Sequence, residues 1–291
     1  MAGDPLQTLP IDLSTSTVDS LVLRCLQWRS LFRPSRGVLF VLLGNHRHGQ
    51  DEAYAETMER VRLNQQTGAD LAAINATWLA HTDEERLVMP QLRALRGSVE
   101  TYNLDRLAEL AGDEHVFVAV DKYDCLAEDK DEAKVKIGRI ALPVVTLKIG
   151  APVVATRRLS STVPTGTTGA VVSVPSRHEV ECMFKGERVV VTPKTWDAFS
   201  VAGKSLGTRT QMPLLLAWAL IIHRAQGSEL ERVCIDFTRD DWACEGLVYT
   251  ALSRVRSFSS LCVRGLTLRH IQSSAACLSF WLSLVRGAEA A

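Results

Sequence analysis

The sequence lacks the cysteine and histidine spacing that marks a small zinc module. Its seven cysteines are an odd number, and none of them stands in a Cys-x-x-Cys pair. Disulfide scaffolds are excluded as well, since they use even numbers of closely spaced cysteines. Free thiols indicate a reducing compartment. No metal site is predicted, because His46 and His48 have no further ligand at a suitable spacing.

Long hydrophobic runs are also missing. The longest apolar run, Pro213 to Ile222, is about half the length of a membrane-spanning helix. The first residues do not form the basic and then apolar pattern of a secretory signal. We therefore expect a soluble protein without a membrane partner.

Neither sign of charge dominates the chain, which has 33 basic and 33 acidic residues. Net charge therefore says nothing about an anionic partner, and only the local distribution can. Residues 151–212 carry eight bases against four acids, and residues 253–270 carry four arginines and no acid. These two stretches are the ones suited to phosphate groups.

A phosphate-binding loop followed by an acidic metal-binding strand is absent from the 291 residues. The nearest approach is Ala198 to Ser205, which ends in Gly-Lys-Ser but has alanine in place of the first glycine. Gly207 and Pro213 follow it where a long helix is required, so we do not interpret it as a nucleotide loop.

The pattern that is present is α/β at both ends of the chain. Residues 1–20 are predicted to be a tail. The apolar run Val38 to Leu43 predicts a buried strand, and helices are predicted from Asp51, from Thr67 and from Tyr102. A further buried strand is predicted at Val233 to Phe237.

Residues 138–212 have a different pattern, with short apolar segments between glycine, proline and threonine turns. Five strands are predicted there, which together suggest a small barrel. They are 144–147, 152–155, 170–174, 180–184 and 188–191. The simplest organisation is one α/β domain, residues 21–137 and 213–291, interrupted by an inserted β subdomain at 138–212.

Two short motifs follow the inserted segment, Ala219 to Leu230 and Val248 to Val255. In this order they resemble the late motor motifs of superfamily 1B DNA helicases, in the PIF-type (petite integration frequency) and RecD-like branch. The resemblance extends to four other segments and so covers roughly residues 30–270. These segments are 45–67, 102–121, 147–171 and 213–219.

The resemblance implies the C-terminal half of a motor. The expected fold is a second RecA-like domain, a parallel sheet with flanking helices, interrupted by an SH3-like β-barrel insertion. The expected activity is ATP-dependent, 5′-to-3′ DNA unwinding in repair, recombination or telomere maintenance. The chain would use ATP and Mg²⁺, with the Mg²⁺ ligands in a first RecA-like domain that this sequence does not contain. Its location would be nuclear or mitochondrial in a eukaryote and cytoplasmic otherwise.

Site residues follow from the same resemblance. Arg254 is the candidate arginine finger and Arg47 a second γ-phosphate contact, because a guanidinium offers permanently charged, forked donors. Nucleotide binding and coupling are assigned to Gln226, Gly227 and Glu229. Contacts to single-stranded DNA are assigned to His223 and Arg224. They are also assigned to Lys148, Arg157 and Arg158, from their positive charge near the predicted barrel rather than from the resemblance.

Simpler interpretations stand beside these assignments. Arg254 fits a surface arginine in a basic stretch, and Gln226 with Gly227 fits a capped turn beneath an apolar helix. The basic residues near the insertion are equally compatible with an ordinary solvated surface. Trp218 is predicted to belong to a core rather than to stack on bases.

The sequence also departs from the helicase pattern. Arg224 and Ala225 stand where Lys-Ser is usual, so charge is retained and a hydroxyl is lost. His48 replaces a common glutamine and Thr165 a common asparagine.

Two other function classes remain open. One is a non-catalytic nucleic-acid-binding accessory module or a decayed paralogue, because the catalytic lysine and the Mg²⁺-binding acids are not in this sequence. The other is a protein-interaction scaffold of the SH3 type. That scaffold would need a groove lined with aromatic residues, which make up only 6% of the chain.

Overall fold

A computed structural model describes residues 4, 6–7, 51–126, 129–200, 202–240, 242 and 244–289. The predicted strand 38–43 and Arg47 lie outside this range. The chain divides into two compact units. The first comprises the described parts of Met1–Ser98 and Leu220–Ala291, and the second is Val99–Ala219.

The first unit contains the following helices and strands. Helices are α1 (Glu52–Arg62), α2 (Gly68–Ala76), α3 (Asp83–Val88), the single turn α6 (Ile222–Ala225), α7 (Leu247–Leu252) and α8 (Ala275–Glu289). A 3-10 turn, Thr77–Ala80, follows α2. Strands are β1 (Gln91–Arg93), β12 (Ala219–Ile221), β13 (Val233–Asp236) and β14 (Leu261–Arg264).

Helices α1 and α2 begin at the residues that the sequence predicts. The Asp51 carboxylate accepts a hydrogen bond from the Tyr54 amide, and Thr67 forms a reciprocal capping box with Asp70. Asp51 also accepts from the amide of Phe258, so the same side chain ties the start of α1 to the segment before β14. These caps determine the residues at which the two helices begin.

Four strands form the sheet of the first unit, in the order β12-β1-β13-β14. Strand β13 pairs in parallel with both β1 and β14, and Val233, Cys234 and Ile235 are at most 1% exposed. Fully apolar strands of this kind are covered on both faces. The predicted mixed α/β fold with a parallel sheet is confirmed.

The Asp70 carboxylate gives the first unit a predictable response to acid. The Arg60 guanidinium lies 2.7 Å from Asp70 Oδ1 and, with Thr67, holds the pKa of the carboxyl well below its usual range. A carboxyl whose pKa is lowered by folding stabilises the protein above its unfolded pKa of about 3.9, and this stabilisation is lost as the pH falls below that value.

Asp70→Asn should therefore lower the free energy of unfolding at neutral pH and flatten its decline between about pH 5 and pH 2. Urea unfolding across this range measures both effects. Asp131→Asn is the control, since the Asp131 side chain is 93% exposed. An unchanged acid profile in Asp70→Asn would contradict the prediction.

The second unit has more strands than the sequence predicted. Its helices are α4 (Arg96–Glu109, which begins in the first unit) and α5 (Lys130–Ile140). Its strands are β2 (His115–Val118), β3 (Val120–Tyr123), β4 (Val144–Leu147), β5 (Pro152–Ala155), β6 (Thr168–Ser176), β7 (Glu179–Phe184), β8 (Glu187–Val191), β9 (Lys194–Phe199), β10 (Ser205–Gln211) and β11 (Leu214–Leu216).

All registered pairs in this unit are antiparallel. The strands form a five-stranded sheet in the order β11-β5-β6-β7-β8, a three-stranded sheet β3-β10-β9 and the pair β2-β4. Val153, Cys182 and Phe184 lie in one apolar core, and Trp218 packs against it as predicted. The proposed insertion boundary at residue 138 differs from the start of this compact unit, Val99.

The Gly-Lys-Ser segment at 203–205 connects two antiparallel strands, β9 and β10. The Lys204 ammonium is paired with Asp129 at 2.9 Å. A phosphate loop requires a strand followed by a helix, so this segment is a hairpin connection.

Candidate functional site

The first motif, 219–230, runs from a strand through one helical turn into an exposed loop. Strand β12 is followed directly by α6, and Ile222 and Ala225 of this turn are buried. Gln226, Gly227 and Glu229 are exposed. Gly227 has a φ of +83°, which favours glycine at this point of the turn.

Arg254, from the second motif, donates hydrogen bonds to the backbone of this loop. Its Nη1 atom donates to the carbonyls of Ser228 at 3.1 Å and Ala225 at 3.4 Å. Its Nε donates to the Thr250 carbonyl at 2.7 Å, and Nη2 donates to Ser253 Oγ at 2.8 Å. The guanidinium is therefore bound on the loop side and on the α7 side, and Arg254 is 0% exposed.

The backbone of Arg254 adds to the same connection. The amide of Leu230 donates to the Arg254 carbonyl at 2.9 Å. Helix α7 in turn is fixed by Tyr54, whose hydroxyl donates to the Leu252 carbonyl at 2.6 Å. Gly246 precedes α7 with a φ of +72°, and a Cβ there would lie 2.5 Å from the Gln7 carbonyl oxygen, which no other residue would tolerate without movement.

Two more charged residues stand beside the loop. Glu229, predicted to contact a nucleotide, is paired with Arg256 at 2.6 Å. Sequence reasoning did not assign Arg256, although its position two residues after Arg254, in a stretch without acids, was a usable signal.

The two basic residues of α6 differ in exposure. Arg224 is exposed, whereas His223 is only partly so. Burial lowers the pKa of His223, and its Nε2 atom is buried without a hydrogen-bond partner among the described residues. Arg224 is thus the cation of this turn that faces solvent.

The basic residues of the second unit also divide into two kinds. Arg157 and Arg158 are exposed, and the Arg157 guanidinium lies 5.0 Å from the centre of the Trp196 ring. Lys148 is 7% exposed, and its ammonium donates to the Leu110 carbonyl at 3.0 Å. A cation bound in this way does not offer its charge to a strand, so the geometry gives the predicted role of Lys148 no support.

The structure therefore brings together Gln226, Gly227, Glu229 and Arg254 in the first unit, with His223 and Arg224 on the adjoining turn. Arg157, Arg158 and Lys148 belong to the second unit, and Arg47 lies outside the described residues. Within the described part of the chain, no group of three metal-binding side chains is found. The helices described there are also too short or too polar to cross a membrane.

The sequence is similar to known helicases. It is 29% identical over 245 residues to the ATP-dependent DNA helicase PIF1 of Rattus norvegicus, an alignment that covers 81% of this chain and 37% of the relative. It is 27% identical over 305 residues to the ATP-dependent DNA helicase PIF6 of Trypanosoma brucei brucei, covering 97% of this chain and 38% of the relative. The chain thus spans little more than a third of the length of these relatives. No protein-family model matches it.

Solved structures agree on the fold. The crystal structure of Pif1 helicase from Candida albicans superposes with a TM-score of 0.71 at 24% identity, over 83% of this chain and 60% of that one. The structure of Bacteroides sp Pif1 in complex with ADP-AlF4 superposes with a TM-score of 0.60 at 19% identity, over 81% and 54%. The resemblance predicted from the motifs is confirmed: the chain is similar in sequence to PIF1 DNA helicases over part of their length, and its fold is similar to that of solved Pif1 helicase structures.

Proposed function

We propose that the chain is the C-terminal motor half of an ATP-dependent DNA helicase that moves 5′ to 3′ on single-stranded DNA. One observation carries the proposal: a single buried side chain, Arg254, joins the two motifs at an exposed loop. An arrangement of this kind can transmit movement between a nucleotide on one side of the loop and a strand on the other. Repair, recombination and telomere maintenance are the processes we propose for it.

The residues at the loop fit one side of a nucleotide site. Gln226 and the backbone at Gly227 are exposed, and Glu229 offers a carboxylate. ATP bound there supplies the phosphoryl group whose transfer drives movement. Arg254 would contact phosphate only by giving up carbonyl acceptors that it now holds. Mg²⁺ ligands are assigned to the first RecA-like domain, which is the proposed partner.

We propose residues 138–212, within the antiparallel second unit, as the SH3-like insertion, and this unit as a surface for single-stranded DNA. The exposed Arg157 guanidinium lies 5.0 Å from the centre of the Trp196 ring. Arg158 follows it in sequence and is also exposed. Positive charge beside an aromatic ring is the combination that single-strand-binding surfaces use.

Steady-state ATPase activity tests the motor proposal. We expect no turnover from this chain with or without single-stranded DNA, and DNA-stimulated turnover from a form extended upstream to include a first motor domain. Turnover by the 291-residue chain alone would overturn this account of the ATP site. DNA binding without hydrolysis by the extended form would favour the accessory-module function.

The double substitution Arg157→Ala and Arg158→Ala tests the DNA surface. It should weaken binding of single-stranded DNA uniformly across sequences and reduce the slope of log K against log salt by about 1 for each phosphate group that the protein no longer neutralises. Lys185→Ala is the matched control, because Lys185 is an exposed cation on the β7–β8 turn of the same unit. If Lys185→Ala decreased the affinity equally, non-specific charge attraction would explain both results, and the proposed DNA surface would be rejected.

A further inference from the structure

Two cysteines face each other inside the sheet of the first unit. Cys234 on β13 and Cys262 on β14 are register partners in a parallel pair. Residues that are partners in adjacent parallel strands direct their side chains to the same face. Cys234 is 1% exposed and Cys262 is 0% exposed, and both lie beneath Met89 and Trp78.

The spacing of the strands is compatible with a bond between the two sulfurs. Neighbouring strands lie about 4.8 Å apart, and the Cα atoms of disulfide-bonded cysteines are usually about 4.4–6.8 Å apart. Bond formation would therefore need only small side-chain and backbone adjustments. A disulfide between register partners on adjacent strands would be strained, and strained disulfides are readily reduced.

The surroundings act differently on the two thiols and favour Cys234 as the one that reacts first. A hydrogen bond with Cys262 lowers the pKa of Cys234, and burial opposes this effect. The same hydrogen bond, together with burial, raises the pKa of Cys262. Gln91, the register partner of Cys234 on β1, adds a second hydrogen bond. Charges make smaller contributions: Asp236 raises the pKa of Cys234, whereas Arg86 lowers the pKa of both cysteines and Arg232 that of Cys262.

We propose that Cys234 and Cys262 are a peroxide-sensitive thiol pair that closes to a disulfide within the folded protein. No comparable arrangement surrounds Cys182, which is equally buried but whose register partners are Val171 and Val189. The inference does not depend on the helicase proposal, because it uses only the pairing of two strands.

The chemistry needs one peroxide for each disulfide. The Cys234 thiolate attacks hydrogen peroxide, the O–O bond breaks, and sulfenic acid and hydroxide form. Cys262 then attacks the Cys234 sulfur and gives up its proton, the S–O bond breaks, and the displaced hydroxide leaves as water. Two thiols are oxidised and the peroxide is reduced to two molecules of water, once the released protons are counted. Both sulfurs are buried, so peroxide reaches them only when the surrounding packing opens, and we expect a slow reaction.

Peptide mapping of the folded full chain tests the proposal. After treatment with hydrogen peroxide and alkylation of the remaining thiols, trypsin should release peptide 233–239 linked to peptide 257–264, at a mass lower by two hydrogen atoms. We expect this link to exceed any other cysteine pair at least about tenfold, because Cys234 and Cys262 are register partners on adjacent strands and bond formation requires the two sulfurs to be close. Dithiothreitol should separate the peptides.

Two alanine variants test which cysteines form the bond. Cys262→Ala should abolish the link and leave a sulfenic acid at Cys234 that dimedone traps, whereas Cys182→Ala should leave the link unchanged. Absence of the link in folded protein, or its appearance only after unfolding in urea, would overturn the proposal. The wild-type map is decisive by itself if an alanine variant does not fold.

Discussion

Arg254→Ala is expected to lower the free energy of unfolding by about 3 kcal/mol, because it removes charge-assisted hydrogen bonds and leaves buried carbonyls without donors. The carbonyls affected are those of Thr250, Ala225 and Ser228. Urea unfolding followed by circular dichroism measures the decrease. Arg254→Lys should recover little of it, since one ammonium cannot reach acceptors on both the loop and the helix.

Arg256→Ala is the matched control for this experiment. Its guanidinium is 59% exposed and pairs with Glu229 at the surface, so its removal should cost about 0.5 kcal/mol. Equal decreases of stability at 254 and 256 would contradict the structural role of Arg254. The comparison also matters for activity, because loss of ATP hydrolysis in Arg254→Ala identifies an arginine finger only if the variant remains folded.

Arg209→Ala should destabilise the second unit by about 2 kcal/mol, because it leaves a partly buried carboxylate without its counter-ion. Arg209 is 7% exposed and forms two bonds of 2.7 Å to Asp121. It also donates to the Ala141 carbonyl. One side chain thus connects β10, β3 and the end of α5. Thermal unfolding of the whole chain, followed by circular dichroism, measures the effect.

Arg188→Ala provides the control in the same unit. Arg188 also pairs across strands, with Glu181 at 3.5 Å, but its side chain is 59% exposed, so its removal should cost about 0.5 kcal/mol. A double-mutant cycle of Arg209→Ala with Asp121→Ala should give a coupling energy above about 1 kcal/mol. Coupling near zero would show that the pair does not hold these strands together.

The parts of the fold that follow apolar periodicity could be predicted from the sequence. Strands β4 and β5 begin and end at the predicted residues, and α1 begins one residue after its predicted cap, Asp51. In these segments one local signal decides the outcome, either a continuous apolar run or a carboxylate that caps the first turn.

One of the strands that sequence analysis missed, β10, has a polar interior. Strand β10 buries Arg209 and Gln211, which local patterns assign to the surface. Both are tolerated because distant groups satisfy them: Asp121 for Arg209, and the carbonyl of Phe117 for the Gln211 amide. Such partners are 88 and 94 residues away, and no local pattern contains them.

The candidate site likewise has features that could be predicted from the local sequence and features that could not. The exposed turn at Gln226 and Gly227 follows from its own sequence, since glycine after a helical turn predicts a change of direction. The burial of Arg254 does not, because its acceptors are main-chain atoms that every residue type possesses. The expected phosphate-facing arginine is instead bound to the protein in this structure, and its role as an arginine finger stays a prediction.

Because Arg254 binds main-chain carbonyls, the side chains of the loop can change during evolution without loss of these bonds. Arg254 contacts the carbonyl oxygen of Ala225 and not its side chain, so position 225 can exchange serine for alanine while this bond is kept. The loop should accordingly accept several small side chains at 225, while a proline at 226 would remove the amide that bonds to Ile222. The presence of Arg224 and Ala225 in place of the usual Lys-Ser is thus compatible with an intact connection between the two motifs.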